Sequence, residues 1–134
     1  MLIRGLVISG LSGLKRVEYS LRRDQTKPGG PDADAAESWI ACRLEEPPAD
    51  WSTVLPAGVS SRQVLGFDSN TGRPAAWPLR YSMVSWSATL KGLGPGNYAV
   101  RARAVDLNDF AQPEPRPNQK AGMNALELRE FAVV

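Results

Sequence analysis

The sequence predicts an all-β protein built as an antiparallel sandwich or barrel. Apolar and polar residues alternate with a period of two in several short runs, as they do in strands that bury one face. Between these runs lie most of the 12 glycines and 11 prolines, which mark turns. No stretch shows the 3.6-residue period of an amphipathic helix. Short strands separated by such turns are typical of a sandwich or barrel.

The clearest strands are expected at residues 15–22, 83–90 and 97–104. In each of them every second residue is apolar or small, and the intervening positions are mostly charged or polar. One face of each strand should therefore be buried. The residues expected in the core on this basis are Val17, Tyr19, Leu21, Trp86, Tyr98 and Val100.

The last apolar run, residues 126–134, changes phase within itself. Leu128 and Phe131 lie on opposite parities, so a regular strand cannot bury both. A bulge near Arg129 would return them to one face. Further strands are expected at residues 2–9, 39–44 and 62–67.

Two long segments between the predicted strands lack the period-two alternation. Residues 23–37 are polar and rich in Gly and Pro, which predicts a hairpin loop. Residues 45–79 are too long for a plain connection, so they should contain a strand or pack over a sheet. Trp51 and Trp77 would anchor that segment. They either cover an edge of the sandwich or form a platform on which a ligand stacks.

The segment Gly92–Tyr98, with the sequence GLGPGNY, separates two alternating runs. A Pro/Gly turn followed at once by tyrosine fits the corner at which a sandwich chain crosses between its sheets. At such a corner the tyrosine hydroxyl bonds back to the backbone of the turn. We therefore predict this bond for Tyr98.

Composition limits the function more than the motifs do. A chain of 134 residues with net charge +2 forms one domain, 1–134, and has no electrostatic footprint for nucleic acid. It has no apolar run that could cross a bilayer and no signal-peptide pattern. There is no histidine and one cysteine, which argues against Ser-His-Asp and Cys-His catalysis and against most zinc sites. Cys42 is expected to be a small buried apolar residue.

Seven short motifs occur in order along nearly the whole chain. They are Ser12-Gly13, Val17-Glu18-Tyr19-Ser20, Trp39-Ile40-Ala41, Trp86, Gly96-Asn97-Tyr98-Ala99-Val100, Arg103-Ala104-Val105-Asp106 and Gln112-Pro113. In this order they resemble the C-terminal dimerisation domain of molybdenum-cofactor oxidoreductases of the sulfite oxidase family. The chain departs from that family where residues 23–37 replace a tight hairpin and where an aromatic residue is missing near Asn118.

The resemblance implies an immunoglobulin-like, E-set antiparallel β-sandwich of about seven strands. It also implies a non-catalytic role in dimerisation and docking, with no cofactor in this domain. The expected partners are a second copy of the chain and a molybdopterin-binding catalytic domain of the same protein, and the expected location is periplasmic. Cys42 does not match the cysteine that binds molybdenum in the family.

In the resembled family the tail after the Arg-Ala-x-Asp strand packs towards the catalytic domain. Lys120 is similar in position to a basic residue that helps to line the oxyanion substrate pocket. A solvated loop lysine is the alternative interpretation of Lys120. The resemblance implies a docking surface that includes Gln112, Pro113, Arg116, Asn118, Lys120 and Asn124.

Two other functions remain open at this point. A free-standing immunoglobulin-like module could bind a carbohydrate or a protein ligand, and an exposed, coplanar pair of Trp51 and Trp77 would favour that hypothesis. An independent enzyme would have only paired carboxylates such as Asp106 and Asp109. These lie at a strand end, where turn formation explains them.

Overall fold

The computed structural model describes residues 1–23, 38–112 and 126–134. These residues form two antiparallel sheets and two single-turn 3₁₀ helices, Trp51–Thr53 and Ser61–Gln63. The all-β, sandwich-like architecture is therefore confirmed. The strands are β1 (Leu2–Ile8), β2 (Leu14–Arg23), β3 (Ile40–Ala41), β4 (Arg43–Leu44), β5 (Met83–Thr89), β6 (Gly96–Asp106) and β7 (Glu127–Val133).

The two sheets differ in width. Sheet A has three strands in the order β1-β5-β4, and sheet B has four in the order β3-β2-β6-β7. The chain passes from sheet B to sheet A at Cys42, whose N–H donates to the carbonyl oxygen of Val17 over 2.8 Å. The run expected as one strand at residues 39–44 is therefore two short strands, one in each sheet.

The core lies between the inner faces of β2, β5 and β6. Five of the six residues expected there are buried, with exposed fractions of 9% or less, because the period-two pattern of each strand holds in the structure. Leu21 is only half-buried, near the end of β2. The buried members of the predicted core are Val17, Tyr19, Trp86, Tyr98 and Val100.

Strand β7 pairs with β6 in a regular register, from Gly96 opposite Val133 to Ala102 opposite Glu127. The predicted bulge near Arg129 is therefore wrong. Phe131 stacks on Tyr98 with ring centroids 5.5 Å apart, while Leu128 faces outwards and is 53% exposed. An exposed leucine is tolerated on an edge strand, so Leu128 and Phe131 can lie on opposite faces of a regular β7 without a bulge between them.

Residues 45–82 contain no strand. The strand predicted at residues 62–67 is wrong, because Ser60 caps a 3₁₀ turn there through its side-chain oxygen. Local bonding of this kind competes with strand pairing. Only Phe67 forms a β-bridge, with Pro74.

The tryptophans of this segment pack mainly on their own neighbours. The Trp51 ring makes edge contacts with Phe67 and Trp77, at centroid distances of 4.8 and 6.2 Å. Trp77 donates from Nε1 to the carbonyl oxygen of Glu45 over 2.9 Å. The segment is thus held by its own aromatic cluster and tied to the end of β4.

The corner before β6 has the predicted tyrosine bond. The hydroxyl of Tyr98 donates to the carbonyl oxygen of Gly94 over 2.9 Å. This bond fixes the direction in which the chain enters β6, and it confirms the prediction made from the GLGPGNY turn.

Candidate docking surface

Only the first residue of the predicted docking surface falls within the described chain. Gln112 is half-buried, and its N–H donates to the carbonyl oxygen of Ala104 over 2.9 Å. This bond holds the chain against the end of β6 where the predicted surface begins. Pro113, Arg116, Asn118, Lys120 and Asn124 lie outside the described residues.

Sheet B carries an ionic cluster on its outer face, centred on Glu18. The carboxylate accepts from Arg16 Nε over 2.6 Å and from Arg103 Nε over 2.8 Å. Arg103 is directly opposite Glu18 in the β2–β6 register. The Glu18 residue is only 7% exposed, although its position in the alternation is an outward one.

Two opposing effects act on the pKa of Glu18. Burial alone would raise it, but the hydrogen bonds from Arg16 and Arg103 favour the charged form, and the pKa lies below its usual value. The carboxylate is therefore ionised at neutral pH. It is a structural ion-pair partner rather than a proton donor.

Trp39 covers part of this cluster. The guanidinium carbon of Arg103 lies 3.9 Å from the centroid of the Trp39 ring, within the range of a cation–π contact. Arg103 is thereby held on two sides, by an aromatic ring and by the carboxylate of Glu18. Trp39 and Arg103 both belong to motifs of the family resemblance.

The ionic cluster continues into the turn that follows β6. Asp109 accepts from Lys15 Nζ at 2.7 and 2.8 Å and from Arg16 Nη1 at 3.2 Å. These contacts, that from Lys15 first, hold the pKa of Asp109 below its usual value. Asp106 Oδ1 accepts the backbone N–H groups of Asn108 and Phe110. Turn formation and ion pairing thus account for both carboxylates.

Cys42, which was expected to be buried, is only half-buried. Burial, and to a lesser extent the charge of Glu18, raises the pKa of the Cys42 thiol to about 11. At neutral pH Cys42 is therefore protonated and a poor nucleophile. No group of three potential metal ligands occurs within residues 1–23, 38–112 and 126–134.

The outer face of sheet A has an apolar area at the end where β1 finishes and β5 begins. Leu6 and Ile8 are 66% and 72% exposed, and Met83, directly opposite Ile8, is 64% exposed. We call these three residues the apolar patch. Sequence analysis missed the patch, although both parities of residues 2–8 are mostly apolar. That pattern is typical of a strand covered on both faces.

A cleft of about 520 Å³ opens between the sheets beside β1. Its walls include Val7 from β1, Trp86 from β5, Val17 from β2 and Ala104 from β6. Asp106 and Gln112 also line the cleft. Because Gln112 is the first residue of the predicted docking surface, the cleft adjoins the start of that surface. A volume of this size is within the range of about 300–1,000 Å³ found for ligand sites.

Comparisons with protein families, with curated proteins and with solved structures found no match for this chain. Within the described residues no helix is long and apolar enough to cross a membrane.

Proposed function

We propose that this chain is a non-catalytic dimerisation and docking domain of a molybdopterin-dependent oxidoreductase similar to sulfite oxidase. The observation that carries the proposal is the order of the seven motifs along the sequence, and two of these motifs lie in β6. The Gly-x-Tyr motif opens β6 and supplies the tyrosine of the corner. The Arg-Ala-x-Asp motif ends that same strand. The proposal gives the domain no chemistry of its own.

The strand order supports the immunoglobulin-like part of the proposal. In that fold one sheet contains the strands A-B-E-D and the other contains C-F-G, and a tyrosine near the start of strand F forms the corner bond. With β1 in the place of B and β6 in the place of F, sheet A follows the order B-E-D and β2-β6-β7 of sheet B follow the order C-F-G. No strand of the described residues takes the place of A. Tyr98 then occupies the position of the corner tyrosine.

The outer face of sheet A supports the dimerisation part. The apolar patch of Leu6, Ile8 and Met83 is exposed on one strand pair. A symmetric dimer uses one surface twice, and such surfaces are more apolar than the rest of the exterior. The outer face of sheet B is less suited to this role, because its charges already pair with one another.

The endogenous polypeptide provides the test. An antibody raised against this domain should isolate a protein well above 14.5 kDa, the mass of this chain. Elemental analysis should find molybdenum in that protein, and oxidation should release a fluorescent pterin. A polypeptide that carries this domain and contains neither molybdenum nor pterin would refute the proposal.

The second candidate is a free-standing module that binds a protein ligand. The cleft beside β1 favours it over a carbohydrate-binding module. Trp51 and Trp77 are both half-buried, with their ring planes at 63°, and therefore do not form a flat exposed platform. Glycan-array binding by the domain, lost in Trp77→Ala, would restore the carbohydrate hypothesis.

A further inference from the structure

The arginines on the strands of sheet B all have interaction partners. Arg16 and Arg103 pair with Glu18. Arg23 donates to the carbonyl oxygen of Pro95. The other arginines of this sheet also have interactions, and they are Arg22, Arg101 and Arg129.

The two arginines on the strands of sheet A differ from these. Arg4 on β1 and Arg43 on β4 are exposed, and neither forms a hydrogen bond or an ion pair within the described residues. Both lie directly opposite Ser87 on the central strand β5. Directly opposite residues point to the same face of a sheet, and because the neighbouring Trp86 is buried, this is the outer face. We call Arg4, Ser87 and Arg43 the arginine row.

The register brings the two positive charges close together. Neighbouring strands are about 4.8 Å apart, so the Cα atoms of Arg4 and Arg43 are about 10 Å apart, with Ser87 between them. The small side chain of Ser87 leaves space above β5 into which both long side chains can turn, and its hydroxyl adds a further donor. Strands β1, β4 and β5 contain no acidic residue, so no strand residue of this sheet balances the two charges.

We propose that the arginine row binds a tetrahedral oxyanion, phosphate or sulfate, either as the free ion or as the terminal group of a small molecule. The planar fork of an arginine forms paired hydrogen bonds to such an anion. A carboxylate has one pair of oxygens, which a single guanidinium occupies, whereas a tetrahedral oxyanion has enough oxygens for both arginines and Ser87. An anion between the guanidinium groups also offsets their mutual repulsion.

One acidic residue stands beside the arginine row and should weaken the site. The N–H of Glu45 donates to the carbonyl oxygen of Ser85 over 2.9 Å, which continues the β4–β5 register by one residue pair beyond Leu44. Glu45 is exposed and has the same parity as Arg43, so it lies on the same face. Its carboxylate repels a bound anion and competes for Arg43. This inference uses only the register of sheet A, so it stands whether or not the molybdenum proposal is correct.

Titration of the full chain with sulfate and with phosphate tests the proposal. Amide shifts followed by nuclear magnetic resonance, at constant pH and with chloride keeping the ionic strength constant, should saturate at the arginine row with a Kd of about 1–5 mM. Arg4→Gln and Arg43→Gln should each weaken binding about fivefold. The matched control, Arg101→Gln, removes the same charge from the outer face of sheet B and should leave the Kd unchanged. Shifts that do not saturate, or equal weakening by all three variants, would overturn the proposal.

The acidic neighbour gives a test with the opposite sign. Glu45→Gln should tighten sulfate binding about threefold, because it removes a like charge beside the anion. Glu130→Gln makes the same change on sheet B and should have no effect. Equal tightening by both variants would show a response to net charge alone and would contradict a site at the arginine row. Light scattering on the same samples reports the oligomeric state, so anion binding and the proposed dimer are tested separately.

Phenyl phosphate distinguishes the two sources of the anion. Leu6 follows Arg4 on the outer face of β1 and is exposed, so it lies where the organic part of a phosphate ester would extend. Tighter binding of phenyl phosphate than of inorganic phosphate, lost in Leu6→Ser, would identify an esterified ligand. Equal binding of the two would identify the free ion. Binding of phenyl phosphate that is unchanged in Arg4→Gln would overturn the proposal.

A last test needs no ligand. Ser87→Asp places a carboxylate where the proposal puts the anion, and Ser87→Asn has the same shape without the charge. Because opposite charges on neighbouring strands stabilise a sheet, the Asp variant should have a Tm about 2 °C or more above that of the Asn variant. The difference should disappear when Arg4→Gln and Arg43→Gln are added to both. An Asp variant no more stable than the Asn variant would show that the two guanidinium groups do not converge over Ser87, and the proposal would fail.

Discussion

The outer faces of the two sheets carry different kinds of side chain. On sheet B, Glu18 is buried beneath Arg16 and Arg103, and the ionic cluster extends to Asp109. On sheet A, Leu6, Ile8 and Met83 stand exposed. The first face pairs these charges with one another within the chain, whereas the second leaves three neighbouring apolar side chains in solvent. Exposed apolar patches are common at interaction surfaces, so the comparison favours sheet A as the surface of the proposed dimer.

The largest effect should come from the core that both sheets share. Trp86→Ala removes a buried ring that contacts the inner faces of both sheets, and should lower the free energy of unfolding by about 3–5 kcal/mol. The matched control is Trp51→Ala, in the segment of residues 45–82. Its ring is half-buried, so the loss should be clearly smaller. Urea denaturation of both variants measures the difference, and equal losses would show that the segment belongs to the same core.

The next effect tests whether the ionic cluster stabilises sheet B. Glu18→Gln keeps the shape of the side chain but removes the charge that Arg16 and Arg103 share. We expect a loss of about 2 kcal/mol, the magnitude for a hydrogen bond to a charged group. Glu130→Gln, at an exposed position on β7, is the control and should change the stability very little. A Glu18 variant as stable as this control would remove the distinction between the two outer faces.

The same carboxylate gives the fold a pH dependence whose sign can be stated. The pKa of Glu18 is lower in the folded state than in the unfolded chain, where it is about 4.3. The folded protein therefore binds this proton less readily, and the stabilisation is present above pH about 4.3. It is lost as the pH falls through the folded pKa. Denaturation curves at a series of pH values should show this loss in the unmodified protein and a shallower slope in Glu18→Gln. Parallel slopes would rule out this role.

A smaller effect is expected at the corner where the chain enters β6. Tyr98→Phe removes only the hydroxyl that donates to Gly94, and the ring can still stack on Phe131. The expected loss is about 1 kcal/mol. Tyr81→Phe, at a residue that is 72% exposed, controls for the loss of a hydroxyl in general. A difference in Tm between the two variants would measure the bond, and identical values would show that the corner bond adds nothing.

The sequence predicted correctly those features that depend on residues close together in the chain, and it failed where a feature depends on a distant residue. Period-two alternation is local, so the burial of Val17 and Trp86 could be predicted. The corner bond of Tyr98 is also local, since its partner lies four residues away. The burial of Glu18 depends on Arg103, 85 residues further along the chain. Because that contact exists only through the β2–β6 register, alternation alone placed Glu18 in solvent.

The segment of residues 45–82 could not be predicted for a related reason. Its turns depend on side chains such as Ser60 and Asp50, which cap 3₁₀ helices, and these bonds give no periodic signal. The apolar patch did leave a signal, because residues 2–8 are mostly apolar on both parities. That signal indicates a strand covered on both faces, but it does not say whether the cover comes from this chain or from a partner.

The smallest effect on stability should come from a substitution in the apolar patch. That substitution gives the most direct test of the difference between the outer faces of sheets A and B. In Leu6→Ser the side chain that is replaced is already in solvent, so the free energy of unfolding should change by no more than about 0.5 kcal/mol. Self-association, however, should weaken, because apolar area at an interface drives assembly. Leu128→Ser, at a 53% exposed leucine on sheet B, has similar chemistry on the other face and should leave association unchanged. Light scattering over a concentration series separates these outcomes. If both variants associate alike, the difference between the two faces has no role in assembly. If Leu6→Ser destabilises the monomer strongly, the patch is part of the fold and is not a surface for a partner.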